Sequence, residues 1–180
     1  MLKPQDIYVL LKLVPLGRRE MPYAKLGAEL FMPASEVHAS LLRCRESRLI
    51  SGEVSDEVVN LSGLEEFLLH GIQYAFPVVP GELTRGVPTS YAAAPLSSFV
   101  LAGNDPPPVW PSPVGKVRGY AIQPLYRKAP VAALNDPIFY ELMAIADALR
   151  QGKARERNQA AQELRKRLFP DAKSKSQPVA

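Results

Sequence analysis

The chain has 180 residues, 47% of them hydrophobic and 22% charged, with a net charge of +4; this is enough apolar material for one sizeable core, or for a small domain with a second element packed on it, and excludes a chain disordered as a whole. Proline is the outlier: 12 of its 18 residues lie between Pro77 and Pro137, so the middle third is not a helical bundle. A single cysteine, Cys44, excludes an internal disulfide, and no apolar run is long enough for a membrane span, so the chain reads as reduced and cytoplasmic, with neither signal peptide nor membrane segment.

In chain order, Pro4 is pre-set for a first helical turn, and Ile7, Leu10, Leu11 and Val14 give that helix an apolar face that ends at Pro15 and Gly17. A second helix, Pro22 to Leu30, aligns Tyr23, Leu26 and Leu30. A third, Ala34 to Ser47, turns Val37, Leu41 and Cys44 inward. The runs "RLISGEV" and "EVVNL" then read as a small β-hairpin. A fourth helix, Leu61 to Ala75, starts at Asn60 or at a capping box from Ser62 to Glu65.

Between residues 76 and 135 the chain is Pro-rich. Here "KVRGYAIQPLY" predicts one strand, "LTRGVPTS" a turn, and "DPPPVWPSP" an extended connection without strand pairing. Helix signals return at Asp136-Pro137 and run to Arg150 through Ile138, Leu142, Ile145 and Leu149. A strongly basic helix follows from Ala154 to Leu168, and the tail 171–180 reads as disordered. The expected fold is mainly α with a small β-hairpin: a winged helix-turn-helix and packing helix over 1–75, a Pro-rich loop and strand segment over 76–135, and C-terminal helices over 136–170.

The second and third helices place small or apolar residues where a groove-docking pair needs them: Leu26, Gly27 at the crossing, Leu30, Met32 and Val37. Phe31 stands where such corners usually carry glycine, and Ser40 where an aliphatic residue is common. With Val37 inward, Ser35, His38 and Ala39 face bases or thymine methyls, and Arg43 a base edge or a phosphate. Arg18, Arg19, Lys25, Arg45 and Arg48 are the candidate phosphate contacts. Against this stand the balanced charge of residues 1–60, eight basic against eight acidic, and the acidic Glu53, Asp56 and Glu57 of the wing.

On "YAKLGAEL…MPASEVHASLLRCRESRLI" the first 60 or so residues resemble bacterial winged helix-turn-helix transcriptional regulators of the MarR-like kind. The resemblance implies a sequence-specific regulator, a repressor, that binds double-stranded DNA as a homodimer. It also permits an antitoxin-like adaptor whose protein partner is encoded nearby. The remaining chain departs from the family's long C-terminal dimer helices, so their phenolic-ligand pocket is not carried over. The helix from Asp136 to Arg150 is the candidate dimer face. The basic helix "KARERNQAAQELRKRL" is open to three readings: a solvated surface, an auxiliary phosphate contact, or a partner face.

Two histidines, His38 and His70, and one cysteine are too few for a clustered metal site or an activated nucleophile, so no enzyme, metal or cofactor is expected. Cys44 reads as core and His70 as structural.

Overall fold

The computed structural model describes residues 1–17, 22–52, 56–100 and 103–170. The molecule is mostly helical, with a two-stranded antiparallel sheet and a separate three-stranded one. Helix α1 (Pro4–Leu13) begins on the expected proline, and the Asp6 carboxylate accepts from the Lys3 backbone N–H at 2.8 Å. From Asp6 to Leu13 every residue of α1 is buried, so the helix is covered on all sides rather than along one stripe. Tyr8 shows how: its ring lies 5.1 Å from Tyr126 and 5.2 Å from Phe139, and its hydroxyl donates to Leu30 O at 2.9 Å.

Helices α2 (Tyr23–Leu30) and α3 (Ala34–Glu46) cross at Gly27, where an added Cβ would sit 2.5 Å from Met32 O, so only glycine fits. The corner is turned by Phe31 at φ 52°, ψ 41°. The conformation that glycine would supply is therefore adopted by a half-exposed phenylalanine. Strands β1 (Ile50–Ser51) and β2 (Val58–Val59) pair antiparallel, Ile50 against Val59. Next, α4 (Leu61–Glu66) is capped by Asn60, whose side chain accepts from Gly63 N–H at 3.1 Å, and passes through a π turn (Phe67–Gly71) into α5 (Ile72–Ala75).

The Pro-rich segment departs from expectation. It forms β3 (Leu83–Pro88), β4 (Pro108–Pro111) and β5 (Val117–Ala121), with β3 antiparallel to both neighbours and β4 parallel to β5. "LTRGVPTS" is thus largely strand rather than turn, and "DPPPVWPSP" contains a paired strand. Proline is disfavoured in a ladder because it has no N–H; here the prolines enter as acceptors, Pro107 O from Tyr120 N–H (2.9 Å) and Pro108 O from Thr89 N–H (3.0 Å). Each strand pairs with the other two, which leaves no open edge. Closure this tight requires Gly119, whose Cβ would lie 1.9 Å from Pro107 O.

After a short helix α6 (Ala129–Leu134), α7 (Pro137–Gln151) starts on Asp136, which accepts from Phe139 N–H at 3.1 Å, and α8 (Ala154–Leu168) packs along it. Every residue of α7 from Leu142 to Arg150 is buried. One continuous hydrophobic cluster runs from Ile7 of α1 to Leu168 of α8. The dimer face expected on α7 is thereby largely used up: Phe139, Leu142, Met143, Ile145, Ala146 and Leu149 already pack within the same chain, against α1, α5, α6 and α8, and Ile138 alone of that face is exposed. Of the α8 stripe Ala154, Ala161, Leu164 and Leu168, the two leucines are buried in the same core, while Ala161 is half-buried and Ala154 exposed.

Candidate functional site

Helix α3 lies on α1 through Val37, Leu41 and Cys44, all buried. Burial pushes the Cys44 thiol up to about 12, so it is a core residue with no thiolate at neutral pH. Ser40 is buried as well, and its Oγ accepts from Arg43 Nη2 at 3.1 Å. The position where an aliphatic was expected therefore serves an arginine.

That arginine is the main correction to the proposed contact set. Arg43 does not reach outward: Nη2 and Nε donate to Asp6 Oδ1 and Oδ2 at 2.6 and 2.8 Å, a two-pronged pair with a carboxylate that is 0% exposed. The hydrogen bonds it donates to Asp6 hold the Arg43 guanidinium above its ordinary range. Freeing it for a phosphate would leave Asp6 as a bare buried charge, which costs several kcal/mol.

Arg45 is also turned toward an acid, with Nη2 3.5 Å from Glu57 Oε1, and the same Glu57 oxygen accepts from the Tyr23 hydroxyl at 2.6 Å. Glu57 precedes β2, so it ties that strand back onto α2 and α3. Expected to meet phosphates unfavourably, Glu57 instead faces the arginine of its own chain.

The outside of α3 carries Ala34, Ser35 and Glu46, exposed, Glu36, His38 and Ala39, partly so, and Leu42 at 41% exposure. The His38 ring lies 5.3 Å from Tyr23. Lys25 on α2 and Arg48, at φ 60° just past α3, are exposed. Arg18, Arg19 and Glu53 lie outside the described residues. His70, expected to be structural, is exposed beside α8.

The basic surface of α8 is mostly matched. Arg165 Nε donates to Glu65 Oε1 at 2.6 Å, and Arg167 donates to Glu141 and Glu163 at 2.6 and 2.8 Å. This fits the solvated, salt-linked reading of that helix better than a phosphate contact.

Two pairings were missed from the sequence, and a signal existed for both. An all-round apolar helix carrying Asp6 and Lys12 must bury both charges and therefore match them. Lys12 Nζ meets Asp136 at 2.6 Å and Glu29 at 3.0 Å. Likewise "MAIADALR" places Asp147 and Arg150 inside an apolar run. Asp147, 0% exposed, accepts from Thr89 Oγ1 (2.7 Å), Trp110 Nε1 (2.6 Å) and Arg150 Nη1 (2.7 Å).

Among the described residues no cluster of three or more His, Cys, Asp or Glu could hold a metal ion, and no helix is long and apolar enough to cross a membrane. Compared with protein-family models, curated proteins and solved structures, the chain matches none.

Proposed function

We propose that the chain is a DNA-binding repressor of the cytoplasm, in which α1 to α3 and the β1–β2 hairpin act as a winged helix-turn-helix and α3 enters the major groove of double-stranded DNA. The carrying observation is the helix corner: α2 and α3 cross closely at Gly27 through a left-handed Phe31, and Ser35, His38 and Ala39 at the N-terminal part of α3 stay accessible. Ser35 and His38 meet base edges, and Ala39 a thymine methyl. Phosphate contacts come from Lys25 and Arg48, joined by Arg18 and Arg19. With so few cations the salt dependence is shallow, a slope of about −2 to −4 in log Kobs against log salt per docked protomer.

The test is an electrophoretic shift with duplex from the chain's own upstream region at two salt concentrations. Ser35→Glu and His38→Ala are expected to abolish or weaken a salt-sensitive shift. A shift that survives both variants, or no shift at all, overturns the reading.

A specific observation favours a second reading, a winged helix used for protein contact. Both arginines on the C-terminal half of α3 face carboxylates of their own chain, while Leu42 is exposed beside Glu46. On this reading Leu42→Arg breaks a complex with the product of the neighbouring gene and leaves DNA untouched.

A further inference from the structure

The outer face of β3 and β5 carries a feature that the fold itself does not require. Arg85 stands opposite Arg118 in the β3–β5 register, and Leu83 stands opposite Tyr120 two residues along. Arg85 O accepts from Ser112 N–H (3.3 Å) and Tyr120 N–H donates to Pro107 O (2.9 Å), so these backbones bond toward β4. Both pairs are therefore non-hydrogen-bonded positions of the β3–β5 ladder, where opposed side chains are nearest, with Cα atoms about 4.5 Å apart.

Like charges placed directly opposite each other destabilise a sheet. Elsewhere in the molecule, Arg43, Arg150, Arg165 and Arg167 each have a carboxylate. Among the described residues neither Arg85 nor Arg118 has one, and both are exposed. Glu82, the acid nearest to Arg85 in sequence, alternates to the opposite face. Lys116, two residues before Arg118, adds a third exposed cation. Beside the arginines, about 7 Å along the strands, Tyr120 is 40% exposed with Leu83 as its neighbour.

We propose that this face binds single-stranded nucleic acid: Arg85 and Arg118 close on one phosphate from two sides, and the Tyr120 ring, backed by Leu83, stacks on the adjoining base. Paired guanidiniums match phosphate oxygens in a way that lysine cannot. An aromatic ring open at its face takes an unpaired base, whereas duplex bases are already stacked. Charge complementarity selects an anion, and the ring beside the clamp selects a nucleotide over a plain carboxylate. The proposal is independent of α3, since β3 and β5 supply all of its residues.

The experiment is fluorescence anisotropy of the full chain with labelled oligo(dT), with polyglutamate of matched charge as competitor. Binding is expected to weaken as salt rises, to fall about tenfold or more in Tyr120→Leu, and to be lost in Arg85→Gln with Arg118→Gln. Ser35→Glu and His38→Ala should leave it unchanged, which separates this face from the α3 reading. All three substituted side chains are exposed, and unchanged urea midpoints establish that the variants fold. Full affinity in Tyr120→Leu, or equal competition by polyglutamate, overturns the proposal: the first marks an unspecific anion surface and the second a face for acidic protein. Absence of oligo(dT) binding overturns it outright.

Discussion

Asp6 and Asp147 are both fully buried carboxylates on helices, each facing an arginine, yet they hold together unlike regions. Around Asp6 the helical corner is already closed by Tyr8, Leu26, Leu30, Val37 and Leu41, and the ion pair fixes how α3 sits on α1. Around Asp147 the three strands have a single large apolar anchor, Trp110, and the carboxylate is the hub to which Trp110, Thr89 and Arg150 all attach. Arg150 extends the hub by donating to Phe76 O (3.1 Å), at the start of the Pro-rich segment, and to Gln123 O (3.2 Å), just past β5. A region rich in apolar contacts uses its buried charge for register, whereas a region poor in them uses it for cohesion.

The comparison fails most visibly if Asp147 proves dispensable. Asp147→Ala leaves the Arg150 charge, the indole N–H and the Thr89 hydroxyl without their acceptor, and the expected loss is about 3–5 kcal/mol. Trp110 is the only tryptophan, so its emission during urea unfolding reports on the three strands directly. Asp147→Asn keeps an acceptor for the indole and should recover part of the loss. A wild-type midpoint for Asp147→Ala would refute the hub.

Arg43→Ala is next, at about 2–4 kcal/mol, less than for Asp147 because the guanidinium is partly in contact with water while Asp6 is not. The double variant Asp6→Asn, Arg43→Gln should recover much of the loss, since no lone charge then remains. The same pair of variants decides between two roles for Arg43. If Arg43→Ala keeps its stability but loses DNA, the arginine serves the groove and the register argument is wrong.

Gly119→Ala sharpens the contrast at smaller scale. Its new Cβ would meet Pro107 O at 1.9 Å, against 2.5 Å from Met32 O for Gly27→Ala, so both are destabilising, by about 1–3 kcal/mol. The larger value belongs to Gly119, because the strands close on themselves and have no direction in which to yield. Equal midpoints for the two variants would show that the closed unit is as tolerant as the helix crossing.

How much of this was legible in the sequence follows the same division. Helical period, Pro4, Asn60 and the Asp136-Pro137 cap are local signals, and α1, α3, α7 and α8 fall within a residue or two of where those signals put them. Strands β3 and β4 are made by pairing between residues more than twenty positions apart, and nothing local announces that Pro107 and Pro108 act as acceptors. In the candidate site, the accessibility of Ser35, His38 and Ala39 was readable from the inward spacing of Val37, Leu41 and Cys44. The inward turn of Arg43 was not, because its partner lies on α1, 37 positions away.

The smallest expected effect tests two paired carboxyls outside either region's interior, Asp136 where α7 meets α1 and Glu163 within α8. Burial alone would raise the Asp136 carboxyl, but hydrogen bonds from Lys12 and from the Phe139 N–H outweigh it and hold it below its ordinary range. Glu163 is held low in the same way by Lys166 and Arg167, again against burial. A carboxyl depressed in the folded state binds fewer protons there than in the unfolded chain, so its stabilisation is complete above the unfolded value and fades as pH falls through and below it. Urea midpoints should therefore hold from neutrality down to the ordinary glutamate value of 4.5 and drop further into acid. Asp136→Asn keeps an oxygen for the α7 cap while losing the charge pair with Lys12, and Glu163→Gln loses the pairs with Lys166 and Arg167. Each should flatten the acid slope at little cost to the neutral midpoint, and an unchanged slope in both would show that neither carboxyl sets the acid sensitivity.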